Sequence, residues 1–66
     1  MEYDYLGNEL NIFDKVAFID TEGDDFETGS IIELNGDICL IVHLNTKFNK
    51  IYNSRLCNKV IKVNNG

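Results

Sequence analysis

The sequence predicts an all-β domain, and three observations carry that expectation. Valine, isoleucine, tyrosine, phenylalanine and threonine are abundant, whereas alanine occurs once, at Ala17. No segment carries an apolar stripe of 3.6-residue period over three turns, as an amphipathic helix requires. Asn35-Gly36 sits between two strand-like runs, and both residues tolerate the positive φ that tight hairpin turns demand. The chain is 66 residues long, which makes residues 1–66 a single domain near the lower size limit for burying a core. Its apolar fraction is 44%, and seven aromatic residues supply bulk for a small core.

Taken in order, Asp4-Tyr5-Leu6 and Glu9-Leu10-Asn11 flank a tight turn at Gly7-Asn8. Lys15 to Asp20 reads as a strand, followed by an acidic loop from Thr21 through Glu27. Thr28 to Glu33 is the next strand, where Gly29 implies a bulge or a close backbone approach. Asp37 to Leu44 returns antiparallel. A two-residue loop would pair Leu34 with Asp37, and a three-residue loop with Gly36 as a bulge would pair Glu33 with Asp37. Both stay open, because Ile31 and Ile32 are equally apolar. Asn45-Thr46-Lys47 turns the chain into a fourth strand, Phe48 to Tyr52. Asn53-Ser54-Arg55-Leu56 reads as one short helical turn, Lys59 to Val63 as the last strand, and Asn64-Asn65-Gly66 as a fraying tail. Five short strands with a long first loop, a tight central hairpin and a helical turn before the last strand are the order of a small SH3-like barrel. An OB-fold would need longer strands and a helix for which there is no room.

The stretches Asp4-Tyr5-Leu6-Gly7-Asn8-Glu9-Leu10, Asp14-Lys15-Val16-Ala17-Phe18 and Gly29-Ser30-Ile31 resemble short SH3-like proteins encoded by tailed bacteriophages. Those proteins show Asp-x-x-Gly, a hydrophobic residue, Gly-Asp-x-Val, a variable loop and Gly-x-Val/Ile, and they end on Lys-hydrophobic, as Lys62-Val63 does here. Phe13 departs from the pattern by standing where a glycine precedes Asp14. The resemblance spans most of the chain through short matches of common turn residues. It implies a phage or mobile-element accessory protein more than it implies an activity.

The longest apolar run, Ile38 to Val42, is far shorter than the roughly 20 residues of a membrane span. Met1 is followed by Glu2 and Asp4, not by a basic and then an apolar segment, so the expectation is a cytoplasmic protein without membrane attachment. Two cysteines fit a reducing compartment: Cys39 reads as a core residue, Cys57 as an exposed turn residue, and both as free thiols. His43, the one histidine, reads as a strand residue on a solvent face. It lies four residues from Cys39, about 13 Å along a strand, too far for a shared ligand or a nucleophile–base pair. These residues do not assemble a catalytic set, and a non-enzymatic domain with no cofactor and no metal is expected.

Charge is laid out unevenly. All eleven acidic residues lie at or before Asp37, where Lys15 is the one base, giving −10; residues 38 to 66 hold five bases and no acid, giving +5. Asp20, Glu22, Asp24, Asp25 and Glu27 crowd the first long loop. Such density costs stability through self-repulsion, which makes it a candidate recognition surface for a basic partner, with Phe26 as an apolar anchor within it. The alternative is a solvated loop that aids solubility. Asp20, Glu22 and Asp24 share the first spacings of a calcium loop, but Asp25 replaces its glycine, Ile31 its glutamate, and no helices flank it. The basic half interleaves Lys47, Phe48, Lys50, Tyr52 and Arg55, a pattern that stacks single-stranded bases and holds phosphate. Against that stand a core placement for Phe48 and Tyr52 and the net charge of −5. The sequence reading is thus a binding module, monomeric or dimeric, that engages a host protein through its acidic loop, with nucleic-acid binding by the basic-aromatic half as the alternative.

Overall fold

The structure is a computed structural model that describes residues 1–19 and 25–63. Five strands form one antiparallel sheet in the order β4-β3-β2-β1-β5: β1 (Lys15–Ile19), β2 (Phe26–Asn35), β3 (Ile38–Leu44), β4 (Lys50–Leu56) and β5 (Ile61–Lys62). The all-β expectation holds. The sheet is curved but not closed, so the closed barrel does not. β4 and β5 remain its two edges.

β2 is the spine. Its first half pairs with β1, from Ile19↔Phe26 to Lys15↔Ser30, and its second half with β3, from Ser30↔Val42 to Asn35↔Ile38. Gly29 sits just before this handover and is buried. A Cβ there would lie 2.6 Å from the Val42 carbonyl oxygen and 2.7 Å from Ile41 Cγ2, so the strands meet too closely for any other residue. The close approach anticipated at Gly29 is present. The bulge lies elsewhere, between Ile31↔Ile41 and Glu33↔Leu40, where Ile32 is the extra residue. Ile31 and Leu34 are three apart and would otherwise face opposite sides. The bulge turns both inward, opposite Ile41 and Cys39.

The central hairpin adopts neither anticipated register. Asn35 pairs with Ile38, leaving Gly36-Asp37 as the loop. Gly36 takes φ +59 while Asp37 is not among the positive-φ residues. That is the type II′ pattern, with glycine first, rather than the type I′ turn on Asn35-Gly36. The fourth strand also starts later than expected, because Phe48 and Asn49 belong to the preceding turn. It runs through Asn53 to Leu56, where a helical turn was expected. That turn follows as a 3₁₀ segment at Cys57–Lys59, and the last strand shrinks to Ile61–Lys62. Pairing with β3 over all seven residues outweighs the local turn preference of Asn53 and Ser54. The N-terminal segments contribute one bridge, Tyr3↔Glu9, rather than strands.

The core comprises Leu10, Val16, Phe18, Ile31, Cys39, Ile41, Cys57 and Val60. Of seven aromatics, only Phe18 is in it; the other six occupy turns, the N-terminal segment or outward strand positions. Cys57 is buried beside Cys39, not exposed, because its N–H donates to the Asp37 carbonyl and docks the 3₁₀ turn under the central hairpin. Burial pushes the Cys39 thiol up to about 11, and burial together with the Glu2 charge raises Cys57. Both are free, neutral packing residues at physiological pH.

Asp4 fastens the ends of the chain. It is buried, and its carboxylate accepts from Leu6 N (2.9 Å), Asn8 N (2.7 Å), Asn8 Nδ2 (3.2 Å) and Lys62 N (2.7 Å). Burial alone would raise its pKa, but these hydrogen bonds outweigh it and hold the carboxyl below its usual 3.8. Gly7, at φ +87, lets the chain turn around the carboxylate. Lys62 Nζ reaches Asp14 Oδ2 (3.3 Å) and the Glu9 carbonyl (3.2 Å).

Because the native state binds the Asp4 proton less readily than the unfolded chain, its contribution is complete well above pH 3.8. It is lost as pH falls through the lower native value. Asp4→Asn should therefore cost about 3 kcal/mol at pH 7. In urea melts the gap to wild type should narrow below pH 4; a gap equal at pH 7 and pH 2.5 would refute the role of the charge. Gly36→Val should cost roughly 1–2 kcal/mol through positive φ. Gly29→Ala should cost about as much or more, up to about 3 kcal/mol, through overpacking. A melting temperature unchanged in either variant would contradict the turn or the close approach.

Candidate functional site

Most of the acidic stretch expected as a loop falls in the sequence between Ile19, the last residue of β1, and Phe26, the first of β2. Asp20, Glu22 and Asp24, together with the calcium-like spacing they share, lie outside the described residues. Asp25, Phe26 and Glu27 lie within them. Ile19 and Phe26 are cross-strand partners, the last pair of the β1–β2 ladder, and share the outer face of the sheet. Phe26 is 72% exposed and Ile19 51%, with exposed Asp25 alongside. The anchor expected at Phe26 is thus at the surface, with a second apolar residue beside it. Glu27 turns to the inner face opposite Phe18 and is half-buried.

Arg55 holds the end of β1. Its Nη2 and Nε donate to the Ile19 carbonyl at 2.9 and 3.3 Å, and its Nη1 donates to the Ser54 carbonyl at 2.8 Å. The guanidinium carbon lies 5.2 Å from the Phe18 ring centroid. Curvature of the sheet brings β4 to the end of β1, although two strands separate them. His43 belongs to the same inner cluster, not to a solvent face: its ring is 5.7 Å from that of Phe18, and its Nδ1 lies 3.2 Å from Asn53 Nδ2. The β3 alternation that buries Cys39 and Ile41 carries His43 inward too.

The basic-aromatic set divides between two faces. Asn45 Oδ1 accepts from Lys47 N (2.8 Å) and Asn49 N (2.9 Å), and Phe48 N donates to the Asn45 carbonyl (2.9 Å). This turn holds Phe48 at φ +62 and 81% exposed. Tyr52 is exposed on the outer face opposite Val42, and Lys50 follows two residues away on the same face. A core placement of Phe48 and Tyr52 is therefore overturned: one lies in the turn, the other on the side of β4 that points away from the core. Arg55, expected to accompany them, faces inward and is engaged by Ile19.

The sequence reading missed two further surfaces. Phe13, at φ +75 and 80% exposed, occupies a left-handed position before β1. The outward residues of β3, Ile38, Leu40, Val42 and Leu44, continue with Leu56 and Tyr52 into an apolar outer face that no described segment covers. Its signal was available: Ile38 to Val42 is apolar at every position, whereas a strand covered on one face alternates. The cleft lined by Asn8, Glu9, Asn11 and Lys62 is polar and shallow, and Lys62 is already committed there.

No curated protein of known function and no solved structure is significantly similar to the chain. A family model does match, over residues 3–63, which takes in every strand, the Asp4 clasp and both candidate surfaces. The chain belongs to the DUF7205 family, a domain of unknown function.

Proposed function

We propose that this protein is a non-enzymatic binding module that engages a basic surface of another protein through the Ile19–Phe26 end of the β1–β2 hairpin. The observation that carries this reading is the exposed Ile19–Phe26 pair bordered by Asp25. Apolar side chains set in an acidic field form a contact whose charges steer encounter while the Phe26 ring and Ile19 bury area. Arg55 supports the reading by fixing the Ile19 carbonyl at the end of β1, so the pair is presented from an anchored base. The phage origin implied by the resemblance would make the partner a host protein, and a small domain acting inside the host cell fits that role.

A second reading has one specific observation in its favour, the outward placement of Phe48, Tyr52, Lys47 and Lys50. Single-stranded nucleic acid could stack on the two rings, its phosphates held by the lysines. Phe48 at positive φ is strained by about 1–2 kcal/mol, a cost that a ring serving only to pack would not justify.

Two variants separate the readings. Replacing Asp25, Phe26 and Glu27 by asparagine, alanine and glutamine should leave the melting temperature within a few degrees of wild type. It should abolish partner capture from host extract, and wild-type capture should weaken towards about 0.5 M salt. Phe48→Gly should fold at least as stably as wild type, since it relieves the left-handed phenylalanine, and should leave that capture intact. If Phe48→Gly instead abolishes both capture and binding to oligothymidylate while the acidic variant keeps both, the second reading replaces the first. Arg55 is unsuitable for this comparison, because its loss disturbs the end of β1.

A further inference from the structure

The two edges of the sheet are finished differently. The β5 edge is blunt: the strand has two residues, and the N-terminal segment lies beside it, with Tyr5 N donating to the Val60 carbonyl. The β4 edge is open. It is seven residues long, paired with β3 at every position without a bulge, and no described segment pairs with its outer side. The chain contains no proline to interrupt it. Such an edge presents the outward backbone donors and acceptors of Lys50, Tyr52, Ser54 and Leu56 to another strand, with the Ser54 carbonyl already accepting one bond from Arg55 Nη1.

Charge identifies the occupant. Lys47 and Lys50 stand at one end of the edge and Lys59 beyond the other, and residues 38 to 66 contain no acid to balance them. A second copy would bring an equally basic edge against this one, which charge disfavours. An acidic strand whose apolar side chains rest on Tyr52 and Leu56 of the outer face would turn its acidic ones to the inner face, where Arg55 lies along the edge and Lys47 and Lys59 stand beyond its two ends.

We propose that the outer edge of β4 docks an extended acidic peptide of alternating acidic and apolar residues, which joins the sheet as a sixth strand. The site is separate from the Ile19–Phe26 surface and does not depend on it. A single chain would then hold a basic partner at one end and an acidic segment along one edge.

The test is a titration of the ¹⁵N-labelled full chain with the capped peptide Glu-Val-Glu-Val-Glu-Val-Glu. Amide shifts should cluster on residues 50–56, with slowed exchange at alternate positions and peptide-to-β4 nuclear Overhauser effects. Binding should weaken as salt rises towards about 0.5 M. The double variant Lys47→Glu, Lys50→Glu, both at exposed sites, should bind about tenfold more weakly. The lysine counterpart of the peptide should bind the wild type poorly and the variant better. Equal binding of both peptides to the wild type, or shifts confined to other residues, would overturn the proposal. So would alternate amides of residues 50–56 already protected in a dimer without peptide, which would assign the edge to a second copy. Oligothymidylate binding across Phe48 and Tyr52, with no backbone protection by the peptide, would assign the surface to nucleic acid and equally refute it.

Discussion

The buried carboxylate of Asp4 is the constraint on which the architecture depends. In a sheet whose edges do not meet, something other than strand pairing must hold the first residues to the last. One side chain does so, accepting from Leu6, Asn8 and, 58 residues away, Lys62. A charged acceptor suits the task because backbone N–H groups at a turn and a strand end lack partners, and a carboxylate satisfies several at once. Its local partners form the turn around Gly7, while its distant one positions β5 against β1. Lys62 then adds its side chain to Asp14 and Glu9. That ion pair is partly solvated and worth no more than about 1 kcal/mol, so it refines a closure made by Asp4.

With the ends fixed, the path of β2 decides what is inside. Changing partners at Ser30 requires the close approach at Gly29, and the extra residue Ile32 reverses the side-chain alternation beyond it. Without the bulge, Leu34 would face outward and Cys39 would lose the partner packed against it. The same geometry determines what stays outside. One curved layer covers its inner face, while the opposite face of β3 keeps Ile38, Leu40, Val42 and Leu44 at or near the surface. A core of eight buried residues among those described is small, and no disulfide joins its cysteines. A large share of its apolar side chains therefore remains available for contact.

Strand content, the first three strand positions, the closeness required at Gly29 and the core role of Cys39 were legible in the sequence, because each rests on a local preference or a two-residue alternation. The hairpin register was not, since it is set by a bulge at one of two adjacent isoleucines. The end of β4 was not either. Asn53 and Ser54 prefer turns, and only pairing with β3 holds them extended. The residues behind the family resemblance proved informative in another way. Asp4, Gly7, Asp14 and Lys62 all belong to the clasp, so the pattern they make describes how the fold is closed rather than what it binds. Phe13, its one departure, occupies φ +75, a conformation in which glycine is at ease. The aromatic count misled, because composition says nothing about which side of a strand a ring takes.

Exposed features that a fold does not need are where function is best sought, and here they separate cleanly from those it needs. Asp4, Asp14, Arg55 and Lys62 are charged but engaged, each bound to backbone or to another side chain. Phe26, Phe48 and Tyr52 are apolar or amphipathic yet turned outward, and Phe48 is held there at a conformational cost. Folding alone would favour the opposite choice at two of these positions, a polar residue at the hairpin end and glycine or asparagine in the Asn45 turn, whereas Tyr52 also suits its place in a strand. Among the described residues Asp14 and Lys62 form the one ion pair, and the acids nearest Phe26 and the lysines nearest Phe48 and Tyr52 share with the other charges the lack of an ion-pair partner. Asp25 beside Phe26, and Lys47 and Lys50 beside Phe48 and Tyr52, set charge with no ion-pair partner among the described residues next to exposed rings, and both proposed binding readings rest on that geometry.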